Sequence, residues 1–215
     1  YLGAGLALAG REFISLTWRN GVIHRWNAKT LKPAGSKEGV SFEGWGLTTS
    51  DEGLIHSDGT ANLRVLDPES FEVLRMIPVT LNGQPLPNLN ELEMIDGLVY
   101  ANVWQSPFIV AIDPADGVIK RLIDLRAIVD SIPMTDRDTV LNGIAWDAEE
   151  ERIYLTGKYW PTLFMIERPG SDARITLLGV VHVGDEGYYG EVQEVLDAAD
   201  VVLFELIKPA DFEMD

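Results

Sequence analysis

Leu98-Val99-Tyr100-Ala101-Asn102-Val103-Trp104, then Phe108-Ile109-Val110-Ala111-Ile112, then Asp113-Pro114, reads as two short strands closed by a breaker turn. The runs are rich in β-branched and aromatic residues and bounded by Gly, Ser, Asp and Pro, the pattern of strands in a meander. The same plan recurs along the chain. Phe13 to Trp18 and Val22 to Trp26 precede Asn27-Ala28, Leu63 to Leu66 precedes Asp67-Pro68, and Arg152 to Thr156 leads toward Glu167-Arg168. The four turns are separated by 40, 46 and 54 residues. Blade repeats of β-propellers run about 40 to 50 residues with four strands each. Two insertions lengthen the later intervals: Gly83-Gln84-Pro85-Leu86-Pro87-Asn88, and Ile132 to Asp138 after a helix-like run at Leu125 to Asp130. Short strands with turns could also build a sandwich, but self-similarity favours a propeller.

Three tryptophans sit in related places: Leu16-Thr17-Trp18, Glu43-Gly44-Trp45-Gly46-Leu47-Thr48 and Ala101-Asn102-Val103-Trp104. Aromatics in register along a repeat gather around one axis when the repeats close, which predicts a lined pocket.

Composition narrows the function classes. The 215-residue chain is 46% hydrophobic and 24% charged, ordinary for a packed domain. Its formal net charge of −17 argues against nucleic acid or anionic membrane as the main partner. With no cysteine, a disulfide or a thiol nucleophile is excluded. No apolar run reaches the roughly 18 residues needed to span a bilayer. The first residue is Tyr1, inside the motif Tyr1-Leu2-Gly3-Ala4-Gly5-Leu6, so a preceding segment, including any signal peptide, is expected.

Several motifs, in order, carry a family resemblance: Leu16-Thr17-Trp18, Glu43-Gly44-Trp45-Gly46-Leu47-Thr48, Ser57-Asp58-Gly59, Leu89-Asn90-Glu91-Leu92-Glu93, Tyr100 to Trp104, Leu141-Asn142-Gly143-Ile144-Ala145 and Thr156-Gly157-Lys158-Tyr159-Trp160-Pro161. Residues 1 to about 168 resemble the plant and bacterial type of glutaminyl-peptide cyclotransferase. The resemblance implies an all-β fold, a five-bladed β-propeller lacking its first blade in this chain. It also implies the activity: the α-amine of an N-terminal glutamine attacks its own γ-carboxamide, ammonia leaves, and a pyroglutamyl end forms. Peptides or proteins beginning with glutamine are the implied partners, no cofactor is called for, and a secreted or periplasmic setting goes with the family. Carried over by position, Trp18, Trp45 and Trp104 match the family's pocket aromatics, Asn90 its polar substrate contact and Lys158 its catalytic lysine.

The chain departs from the family at Ala4, where the resemblance places a catalytic glutamate. A methyl group cannot carry a proton. Either Glu43, Glu91 or Glu93 takes that role, with Glu43 counted among the catalytic candidates beside Lys158 and Asn90, or the propeller binds peptide ends without catalysis. Each residue also has a plainer reading: tryptophans pack blades, Asn90 and Asn142 cap turns, and carboxylates accept backbone N–H groups. His24 and His56 stand alone, without the paired spacing of a metal site, and are read as core or surface residues; no metal site is expected.

Past Pro169-Gly170-Ser171-Asp172 the pattern changes. Arg174 to Val183 reads as a strand, Tyr188 to Ala199 as a helix with apolar residues at helical spacing, and Val201 to Leu206 as a second strand. Residues 172–215 thus predict a short α/β (βαβ) segment, separate from the propeller at 1–168. This stretch resembles the opening of the TraB/Tiki family, with Gly179-Val180-Val181-His182 and Glu205 at its motif positions. A fusion with a TraB-like metal-dependent hydrolase is therefore a further reading, although two ligands alone do not make a metal site.

Overall fold

The computed structural model describes residues 3–133, 136–167 and 175–179. The chain divides into two compact units, 1–182 and 183–215, and every described residue belongs to the first. The described residues form four four-stranded antiparallel meanders. The first contains β1 (Gly3–Ala9), β2 (Glu12–Thr17), β3 (Val22–Asn27) and β4 (Pro33–Glu38). The second contains β5 (Gly46–Ser50), β6 (Gly53–Ser57), β7 (Asn62–Leu66) and β8 (Val73–Pro78). A small hairpin, β9 (Thr80–Leu81) with β10 (Gln84–Pro85), occupies part of the first predicted insertion. The third sheet contains β11 (Leu89–Ile95), β12 (Leu98–Val103), β13 (Phe108–Ile112) and β14 (Ile119–Asp124), followed by the one-turn helix α1 (Arg126–Val129). The fourth contains β15 (Leu141–Asp147), β16 (Arg152–Gly157), β17 (Thr162–Glu167) and β18 (Ile175–Gly179). The described residues thus make a propeller-like all-β fold with four blades.

One turn chemistry explains the repeat. In Asn27–Leu31, Asp67–Phe71 and Asp113–Gly117, the fifth residue's N–H donates to the first residue's carbonyl at 2.8 Å. The first side chain accepts from the backbone inside the turn: Asn27 Oδ1 from Thr30 N (2.9 Å), Asp67 Oδ1 from Ser70 N (2.7 Å) and Asp113 Oδ1 from Ala115 N (2.9 Å). Asn and Asp are favoured here because their short side chains copy a backbone turn. The fifth residue is left-handed in all three, at φ 54° for Leu31, 57° for Phe71 and 73° for Gly117.

These turns join the third and fourth strands of the first three blades, so the repeat requires a fourth strand after Glu167 too. Ile175–Gly179 is that strand, pairing antiparallel with β17 from Thr162↔Gly179 to Ile166↔Ile175. The strand expected to open a separate βαβ segment therefore completes the fourth blade, and the boundary drawn at 168–172 falls inside a sheet. The predicted helix at Tyr188 to Ala199, the strand at Val201 to Leu206, His182 and Glu205 lie outside the described residues.

Burial follows position within the blade. Every residue of β6 is buried, whereas every residue of β4 is exposed. Inner strands are covered by neighbouring blades on both faces, and outer strands form the rim. Three apolar clusters fill the interfaces between successive blades. Ile14, Leu16, Leu47 and Leu54 join the first and second. Ile55, Leu63, Leu92 and Val99 join the second and third. Ile109, Leu141, Leu155 and Phe164 join the third and fourth. Hydrogen bonds tie the same neighbours: Thr49 Oγ1 donates to Leu8 O (2.7 Å), Met94 N to Thr48 Oγ1 (3.0 Å), and Trp146 N to Glu93 Oε1 (3.1 Å). On β1, Leu6 and Leu8 remain 48% and 51% exposed, so the first blade has an uncovered apolar edge.

Candidate functional site at the end of the inner hairpins

In an antiparallel hairpin, the start of one strand and the end of the next lie together. The pairs Gly3↔Thr17, Gly46↔Ser57, Leu89↔Val103 and Leu141↔Gly157 close the inner hairpins at that end. Trp18, Trp104 and Lys158 immediately follow three of these pairs, Trp45 precedes the fourth, and Asn90 and Ala4 occupy the opening strands. The register of the sheets thus gathers the residues singled out from the sequence.

Glu43 is the centre of the aromatic group. Its Oε2 accepts from the indole N–H of both Trp18 and Trp45, each at 3.0 Å, while Arg19 Nε donates to Oε1 at 3.1 Å. The Arg19 guanidinium also lies 3.9 Å from the Trp18 ring centroid. The Trp45 indole bond, the larger influence, works with Arg19 and Trp18 against a partial burial penalty and holds the Glu43 carboxyl below its usual range. Trp45 meets Trp104 edge to face, with centroids 5.4 Å apart and planes at 82°. All three tryptophans are half-buried, unlike Trp160, which is 6% exposed in the interblade core. A separate small gap, lined by Leu16, Val22, Val40 and Phe42, is too small for water and contains none of them.

Backbone supports fix this group. A Cβ on Gly59 would lie 2.7 Å from Trp45 Cη2, so the indole rests directly on that glycine, whose φ is +80°. His56 is fully buried, and its Nε2–H donates to the Glu43 carbonyl at 2.8 Å. Burial pushes the His56 imidazole down to about 4, leaving it neutral near pH 7, which agrees with its reading as a core residue. His24 is half-buried on β3. Among the described residues no group of three His, Asp or Glu could hold a metal ion.

Asn90 is 5% exposed, and its carbonyl accepts from Ser57 Oγ at 2.6 Å. Lys158 is half-buried and close enough to Glu91 to favour its charged form. Glu93 accepts the Trp146 N–H between blades, and burial pushes its carboxyl up to about 7. Asn102, fully buried, accepts from Gly143 N through Oδ1 at 3.0 Å and leaves its Nδ2 unpartnered; Asn142 leaves its Oδ1 unpartnered. Arg19, His56 and Asn102 were not predicted as site residues. Arg19 adjoins a motif tryptophan and was open to notice, but the His56 and Asn102 contacts depend on register between strands.

If Glu43 holds the indoles, Glu43→Ala releases two N–H donors and Arg19 together. The near-UV circular dichroism of the tryptophans should fall and their fluorescence should shift to longer wavelength. Unchanged spectra would show that packing holds the indoles without the carboxylate.

This architecture is a β-propeller with an aromatic and charged site at one end of its inner hairpins. The chain belongs to the glutamine cyclotransferase family, whose model matches residues 1–168. It is 35% identical over 176 residues to the glutaminyl-peptide cyclotransferase of Arabidopsis thaliana, covering 81% of this chain and 55% of that one. The chain thus spans about half the length of this curated relative. The crystal structure of Myxococcus xanthus glutaminyl cyclase matches with a TM-score of 0.74 and 35% identity, over 82% of this chain and 73% of that one. The resemblance read over residues 1 to about 168 is borne out. The family match stops short of β18 and of the TraB-like stretch.

Proposed function

We propose that this protein is a glutaminyl-peptide cyclotransferase, acting on peptides or proteins with an N-terminal glutamine. The observation that carries the reading is the gathering of Trp18, Trp45, Trp104, Asn90 and Lys158 at one end of the inner hairpins, in a chain of this family. The substrate holds nucleophile and electrophile in one residue, so folding it into a near-attack geometry is a large part of the task. The aromatic surface suits that folding. Lys158 supplies positive charge for the tetrahedral oxyanion, and Asn90 a polar contact to the substrate. Glu43, engaged by three donors, orients the two indoles and is a poorer proton carrier than the catalytic role first given to it requires. The family's ring has five blades; the four described here would be part of it.

An ammonia-release assay on a glutamine-initiated dipeptide tests the proposal, with pyroglutamyl product identified by mass spectrometry. Both proposed chemical groups are side chains, so prolonged chelation should leave the rate unchanged; loss on chelation with recovery on added zinc would overturn that part. A second reading, a propeller that binds peptide N-termini without turnover, rests on Ala4. It predicts saturable binding of the dipeptide with no ammonia released.

A further inference from the structure

The opening strands of the four blades carry Gly5, Gly46, Glu91 and Gly143 immediately before Leu6, Leu47, Leu92 and Ile144. Three blades have no side chain at this place, and the third has a carboxylate. The strands approach closely here. A Cβ on Gly5 would lie 2.9 Å from Gly46 C, and one on Gly46 would lie 2.0 Å from Asn90 O and 2.9 Å from Glu91 Cα. Gly46 therefore stands between Gly5 and Glu91 and leaves the passage open. Across it, the Glu91 carboxylate accepts the N–H of Gly5, the residue after Ala4.

We propose that Glu91 is the proton carrier of the cyclisation, reaching from the third blade to the place that Ala4 leaves without a carboxylate. This assignment rests on the proposed cyclotransferase reading. The Glu91 carboxylate takes a proton from the substrate α-amine as its nitrogen bonds to the γ-carboxamide carbon. Lys158 faces the negative charge on the carboxamide oxygen. As the intermediate collapses, the bond to the amide nitrogen breaks, the proton passes from Glu91 to that nitrogen, and ammonia leaves. The products are the pyroglutamyl peptide and ammonia, with Glu91 restored to its starting state.

The charged groups around Glu91 are compatible with this role. Burial, the larger influence, and the nearby Glu93 push its carboxyl up, while the N–H groups of Gly5 and Leu92 and the charge of Lys158 pull it down, leaving it at about 7. A carrier poised near the working pH both accepts and returns a proton readily. Glu43 is held in the opposite direction by its three donors, and Glu93, pushed up to about 7 like Glu91, meets the Trp146 N–H of the fourth blade rather than Gly5 and Lys158.

The test uses four versions of the protein: parent, Glu91→Gln, Ala4→Glu, and the double variant. Ammonia release from a glutamine-initiated dipeptide is measured across pH, and binding by tryptophan fluorescence. Loss of general acid–base help should lower kcat in Glu91→Gln by about 10²- to 10⁴-fold. Dipeptide binding should persist, and Ala4→Glu should restore turnover in the Glu91→Gln background with a shifted pH profile. Circular dichroism confirms that each variant is folded. An active parent whose kcat survives Glu91→Gln overturns the assignment while the cyclotransferase reading stands. A parent that cyclises only after Ala4→Glu also overturns it, with the site intact. Absence of both binding and turnover in parent and Ala4→Glu overturns the two readings together.

Discussion

Gly46→Ala should destabilise the protein by about 3 kcal/mol or more, at the upper end of what overpacking costs. The added Cβ would lie 2.0 Å from the Asn90 carbonyl oxygen and 2.9 Å from its carbon, both backbone atoms that cannot swing away. Nor can β5 retreat as a unit. Leu47 and Leu54 anchor the second blade to the first, while Ile55 and Leu63 anchor it to the third. For a domain of this size the loss corresponds to a Tm lower by roughly 6 to 12 °C. Gly10→Ala is the comparison: its Cβ would meet nothing within 4 Å, and only its left-handed φ of +62° opposes substitution. That strain costs about 1 kcal/mol. Equal losses in the two variants, measured by thermal or urea unfolding, would show that the inner strands are not held at the separation described.

Lys158→Met should reduce kcat for glutamine cyclisation by about 10²- to 10³-fold, the effect of removing one oxyanion donor. Methionine keeps most of the length and apolar stem of lysine but removes its charge. Lys158 follows β16 directly, where its own N–H donates to Val140 O at 2.9 Å, so the backbone that carries it does not depend on the ammonium. Its loss also withdraws the positive charge that favours ionised Glu91, and the pH profile should move upward by the same substitution. KM should change little, since the indoles supply the binding surface. A kcat within tenfold of the parent would remove Lys158 from the chemistry and leave it a solvated surface cation.

The sequence was most legible where chemistry is local. Asn27, Asp67 and Asp113 each close a turn of five residues through their own side chains, so the repeat could be counted without knowing any long-range contact. Six of the strands are bracketed by the sequence to within a residue: Phe108–Ile112 matches the structure, and Phe13 to Trp18 corresponds to Glu12–Thr17. Counting failed at the end of the chain for a related reason. The apolar run after Asp172 fits either an outer blade strand or a buried strand of a βαβ unit, and periodicity does not distinguish them. Pairing with β17 does.

The site divides along the same line. Residue type and motif order mark the candidate side chains, because indoles, an asparagine and a lysine at blade openings are visible one repeat at a time. What each one touches was decided by the tertiary structure alone. Glu43 and Glu91 both read as motif carboxylates, yet one is clasped by Trp18, Trp45 and Arg19 and held below its usual range, while the other is buried beside Gly5 and raised to about 7. Local sequence settles turns and strands, since their partners lie a few residues away. The protonation of a carboxylate depends on burial and on donors brought from other blades, and only the packed sheets supply those.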